Sequence, residues 1–148
     1  MADNMNFDDA IENAVMQVLE NNGDFAALGV KTMHFHDATD DKVLPVVIVH
    51  AHDIGSFENS TIALEGTIRV IIRTKEPEDK DHSEADSIFQ VVLGIMRTSD
   101  SSVFDAYLAP DSDFAFNGFA KVTQDESFDD AKKEQDKEVI CDARFWIQ

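Results

Sequence analysis

A single α+β domain, with a mostly antiparallel sheet and two helices packed on one face, is the architecture predicted for this chain of 148 residues. Apolar residues recur at helical spacing in two segments and alternate with period two, or run unbroken, in five others. The segments follow the order helix, three strands, helix, two strands, which suits antiparallel pairing. The length fits one domain spanning 1–148, and a chain of that size buries about 70 % of its unfolded surface. A hydrophobic content of 43 % with 11 Phe is enough for a core, which excludes disorder throughout.

Residues 6–22 read as the first helix. Asn6 is the expected N-cap, Asp8 and Asp9 favour the positive end of the dipole, and Gly23 is the expected stop. Phe7, Ile11, Ala14, Val15, Val18 and Leu19 share one face. A connector over 24–29 ends at Gly29. Strand character follows at 30–36, where Met33 and Phe35 alternate with His34 and His36. The second strand, 45–52, opens at Pro45, which suits a first position, and its unbroken Val-Val-Ile-Val implies burial on both faces. The third, 62–74, alternates best: Ile62, Leu64, Ile68, Val70 and Ile72 oppose Glu65, Thr67, Arg69 and Arg73.

A charged loop from Lys75 to Asp81 leads to a second helix at 83–97, with Asp81 and Glu84 at capping-box spacing. Its apolar stripe is Ala85, Ile88, Phe89, Val92, Leu93 and Met96. Residues 99–113, rich in Ser and Asp around an apolar insert at 103–108, are expected to be irregular and mobile. Strands are expected at 114–123, with a bulge at Asn117-Gly118, and at 138–147. The charged stretch 124–137 between them is expected to be a mobile loop whose removal leaves the sheet folded.

Charge narrows the function classes. Thirty acidic residues against 12 basic give a net charge of −18, the wrong sign for gripping phosphates or anionic membranes. The excess serves solubility, or a surface that must not hold DNA passing close by; composition alone does not choose. The N-terminus lacks the basic and apolar regions of a signal peptide, and no apolar run approaches the length that crosses a bilayer. The lone Cys141 excludes an internal disulfide, fits a reducing compartment, and sits in an apolar alternation expected to bury it.

Catalytic patterns are missing: there is no glycine-rich phosphate loop, no nucleophile elbow and no Cys-x-x-Cys pair. The acidic pairs Asp40-Asp41, Asp125-Glu126 and Asp129-Asp130 fall in polar stretches, where carboxylates stay hydrated. The Asp-rich 111–113 lacks the glycine and distal Glu of an EF-hand. Histidine is the one exception. His34 and His36, like His50 and His52, share a face of their strands and would approach one another, near Asp37 and Asp53, if those strands were neighbours. They are read as strand-end histidines, with no stoichiometric zinc and no cofactor expected.

The last strand points to assembly. Val139, Cys141, Ala143, Phe145 and Ile147 form one face, yet Ile140 and Trp146 lie on the other with Asp142 and Arg144. A sheet with helices on one side only exposes that second face, and Trp beside Arg is the composition of a subunit contact. Loop 99–113 folding over it is the alternative.

The succession of an N-terminal helix, a short strand, Leu44-Pro-Val-Val-Ile-Val-His50, the long Leu64-Glu-Gly-Thr-Ile-Arg-Val-Ile-Ile-Arg73, an Ala85-containing helix and a closing strand resembles the tail-completion, or tail-terminator, proteins of tailed bacteriophages. The resemblance implies a structural virion protein with no enzymatic activity. Such a protein caps the tail tube as a ring, commonly a hexamer, and forms the surface that meets the head-side connector. It would be found at the head-proximal end of the tail. Its partners would be other copies of itself, the tail tube protein and the connector or neck protein. A head-closure or neck protein is the nearest rival, and a histidine-based metal-binding protein a more distant one. Arg69, Arg73, Ile140, Arg144 and Trp146 are then expected at the subunit interface, with Arg97 a further source of cross-subunit pairs. Asp125, Glu126, Asp129, Asp130, Glu134 and Asp136 are expected at the lumen or an axial docking surface. The long charged stretch 124–137 and the insert at 103–108 depart from the family's pattern.

Overall fold

The computed structural model describes residues 7–38, 44–56, 63–75, 83–108, 114–129 and 134–147. The expected caps Asn6 and Asp81, the strand residue Ile62, the pair Asp40-Asp41, the run 111–113 and the docking residue Asp130 lie outside them.

Helix α1, Phe7–Glu20, carries Asp8 and Asp9 in its first turn and buries Ile11, Ala14, Val15, Val18 and Leu19. Gly23 does not simply end it. The Asn22 side chain accepts from the backbone N–H groups of Asp24 and Phe25 at 3.0 and 3.2 Å, starting a one-turn helix α2, Gly23–Ala26, that buries Phe25. Strand β1, Lys31–His34, is shorter than expected, because the chain tightens into a 3-10 turn over Phe35–Asp37. Strand β2, Val46–Ser56, and strand β3, Ala63–Lys75, form the long central pair. Helix α3, Ser83–Thr98, follows with its expected stripe buried.

Residues 99–108 are less irregular than expected. Asp100 caps a short helix α4, Ser101–Asp105, through the N–H groups of Ser102 and Val103. Its Phe104 is fully buried against Phe116, whose ring meets Phe145 at 4.9 Å. The Asp105 carboxylate accepts the Phe116 N–H at 2.6 Å. The insert is therefore a core plug on the helix side of the sheet, and among the described residues it does not cover the opposite face.

The expectation of a loop over 124–137 is overturned. Strand β4, Phe114–Asp129, and strand β5, Glu134–Ile147, extend into it from both sides and pair as far as Asp129↔Glu134. The arm does not project alone, because β3 pairs with β5 as far as Lys75↔Glu134. Charge masked its periodicity, and cross-strand partners supply what propensity lacks: Arg73 lies opposite Asp136, and Glu126 opposite Lys137. The expected bulge is present, with a register shift between Phe116 and Gly118 and Gly118 at φ +150°.

The five strands are ordered β1-β2-β3-β5-β4. Only β1–β2 is parallel; the other pairs are antiparallel. Val47, Val49 and Ala51 of β2, Leu64, Ile68, Val70 and Ile72 of β3, and Val139, Cys141, Ala143 and Phe145 of β5 form one core with the helices. The four helices among the described residues thus lie on one face, confirming the α+β layout. The unbroken run in β2 is buried on both sides, since Val46 and Ile48 pack with Ile71 in a small cluster on the far face. Among the described residues no helix is long and apolar enough to cross a membrane.

Candidate functional site

The face of the sheet that no described helix covers holds Arg69, Arg73, Ile140, Arg144 and Trp146, whereas Arg97 lies on α3. Alternation along β3 and β5 places Arg69 and Arg73 beside Asp136, Glu138, Ile140, Arg144 and Trp146 on that face. The arginines are engaged within the chain. Arg73 donates from Nε and Nη2 to the two carboxylate oxygens of Asp136 at 2.7 and 2.8 Å, a bidentate fork, with Glu134 at 3.8 Å. Arg69 donates to Glu138 at 2.9 Å and to His52 Nε2 at 3.1 Å. Arg144 lies 3.5 Å from Glu65, its directly opposite partner. The result is a ladder of cross-strand ion pairs ending at Trp146, which is 43 % exposed. Ile140 is half-buried, and Arg97 is exposed in the last turn of α3.

The residues expected to dock axial partners do not share one loop. Asp125, Glu134 and Asp136 alternate with Glu126 along the two strands, so they divide between the faces. Asp125 and Glu126 are exposed. Glu126 accepts from Gln135 at 3.2 Å and lies 4.0 Å from Lys137, which also pairs with Asp86 of α3. Asp129 ends β4 opposite Glu134.

The four histidines do not converge. His50 and His52 lie on the helix-free face, where Phe35 stacks on His50 at 4.0 Å and Arg69 donates to His52. Burial, followed by the neighbouring His52 and Arg69 charges, pulls the His50 imidazole below its ordinary value against the opposing effect of Asp53. His34 and His36 instead meet α1. His34 Nδ1 is 2.7 Å from Glu12 Oε1, and His36 Nε2 is 3.1 Å from Asp9 Oδ1. Glu12 is buried, and its second oxygen accepts the Ala51 N–H at 2.8 Å. Strand β1 ends at His34 opposite Val49, so Ala51 lies beyond that ladder and takes a side-chain acceptor instead. Burial pushes the Glu12 carboxyl up, while the Ala51 N–H and His34 draw it back. The sequence reading missed Asp9 and Glu12. Two acidic residues three apart, on one flank of a helix that buries Ile11 and Val15, were the available signal.

Cys141 is fully buried, and burial together with Asp142 pushes its thiol up to about 12. It is not a nucleophile at neutral pH.

No family model and no curated protein sequence matches this chain. A solved structure of the virion of a native gene transfer agent (GTA) particle contains a chain with the same fold. The two align with a TM-score of 0.60 over 91 % of this chain and 93 % of that one. Their identity is 15 %, so the likeness is one of fold.

Proposed function

We propose that this chain is a structural virion protein that caps a tail tube as a ring, ends tube growth and forms the surface that joins the head-side connector. One observation carries the reading: the fold matches, over nearly the full length of both chains, a chain from a virion. The order of elements, similar to that of tail-terminator proteins, supports a position at the head-proximal end of the tail. The partners on this reading are further copies of the chain, the tail tube protein and the neck protein. The function is assembly, with no reaction catalysed.

Subunits would meet through the helix-free face. Because Arg69, Arg73 and Arg144 pair with carboxylates of their own chain, Trp146 and Ile140 supply the apolar contact. The ion-pair ladder around them would set register. The acidic end of the β4–β5 hairpin, with Asp125 and Glu126 exposed, would face the lumen or an axial partner.

The test is sedimentation of the purified protein, followed by mixing with tails that lack their terminator and, separately, with DNA-filled heads. A ring that binds tails supports the proposal, whereas binding to heads alone assigns it to head closure. Trp146→Glu is expected to weaken the ring by about 2 kcal/mol or more per contact while leaving the monomer folded. A mutant that stays fully oligomeric places the contact elsewhere.

A further inference from the structure

We infer that Asp9, Glu12, His34 and His36 form a binding site for one divalent transition-metal ion of the zinc class. One donor atom from each lies within 4.8 Å of the other three. Tetrahedral zinc with bonds of about 2 Å holds its donors roughly 3.3 Å apart. Closure therefore needs side-chain movements of an ångström or so. Two carboxylate oxygens and two imidazole nitrogens are a donor set that suits zinc and disfavours magnesium or calcium, which take oxygen alone.

The spacing explains how two distant segments supply the set. Asp9 and Glu12, three apart on α1, project from one flank of the helix. His34 ends β1 and His36 lies in the 3-10 turn that follows, on the same side, with the two rings stacked at 5.0 Å.

The outer partners of a metal ligand are already in place. His36 Nδ1 is held by Asp37 at 3.1 Å, which leaves Nε2 directed at Asp9. Glu12 is held by the Ala51 N–H through one oxygen, leaving the other toward His34. A carboxylate behind an imidazole and a backbone donor behind a carboxylate fix ligand orientation and raise affinity. Asp9 and His36 are more than half exposed, so the ion has an open approach from solvent. Bound there, it would fasten α1 to the β1 edge of the sheet. The site runs against the sequence expectation of no metal and no cofactor, which weighed only His34, His36, His50 and His52 as a set, two of which point elsewhere. The site is independent of the assembly reading.

Calorimetric titration of the full chain with Zn2+, and absorption spectroscopy with Co2+ in its place, test the assignment. One Zn2+ per chain is expected, with Co2+ bands of four-coordinate intensity and a Tm that rises with zinc concentration. His36→Ala, at an exposed side chain, should abolish the one-to-one isotherm. Asp37→Asn should weaken binding about tenfold, and His52→Ala should leave it unchanged. Retention of the circular dichroism spectrum by His36→Ala separates loss of a ligand from loss of fold. Absence of a one-to-one isotherm in the wild type overturns the proposal. So does an isotherm that survives in both His36→Ala and Asp9→Asn.

Discussion

Gly66 occupies a position where one added carbon has a direct consequence. A Cβ there would lie 2.5 Å from Ile54 Cγ1 and 3.3 Å from the Ile54 Cα, because the bulge between His52 and Gly55 folds Ile54 over β3. Asp53 at φ 57° makes that bulge and fixes its direction. Gly66→Ala is expected to destabilise by about 1–3 kcal/mol, read as a lower urea midpoint at unchanged m-value. His50 offers a second test at this scale, through protons. Its folded-state value lies below the ordinary one, so the unfolded chain binds more protons as the solution is acidified. The His50 contribution is thus fully present above about pH 6.5 and is lost as pH falls through the folded value. Replacing His50 with Asn should flatten the decline in stability between neutral and mildly acidic pH. Denaturant melts at both pH values, compared with the wild type, measure that difference. An unchanged slope in the mutant would remove His50 as a source of the decline.

At the scale of elements, the β4–β5 hairpin behaves differently from the loop that its composition suggests. Deleting 124–137 removes partners of β3 from Ile72 to Lys75, including the fork between Arg73 and Asp136. It also uncovers the buried side of Thr74. Such a deletion is expected to abolish cooperative thermal unfolding, where a true loop would tolerate it; a sharp calorimetric transition in the deletion protein would contradict this. The two long helices and the central strands were legible because Val15, Ile68 and Val92 sit in clean periods of 3.6 or two. The hairpin arm was not, because Glu134, Asp136 and Glu138 find their stability in Arg73 and Arg69, more than sixty residues away in sequence. Helix α4 was hidden for a similar reason: a five-residue helix has no period to read, and only Phe104 reports its burial. Of the residues proposed for the interface, Trp146 and Ile140 were legible as large apolar groups on the face of the strand opposite the core. That the neighbouring arginines are engaged within the chain follows from register, which pattern alone leaves open.

For the whole molecule, a net charge of −18 sets the conditions under which copies can meet. Arg69, Arg73 and Arg144 are matched to carboxylates of their own chain, so like charge dominates between chains. Self-association is expected to strengthen as salt rises from low values toward 0.15 M, where the screening length is about 8 Å. Sedimentation across a salt series checks the sign; dissociation on adding salt would mean that cross-chain ion pairs dominate instead. The strand order has a different consequence. Strand β5 lies between β3 and β4 although it is made after both. On a ribosome adding about 5–20 residues per second, β3 and β4 are synthesised before the strand that joins them. Through that interval one edge of β3 and the whole of β4 carry unpaired backbone groups, the template on which nascent chains pair with one another. The sheet is complete only once β5 lies between them, so the time the β4–β5 pair takes to reach β3 sets how long each new copy stays open to misassembly.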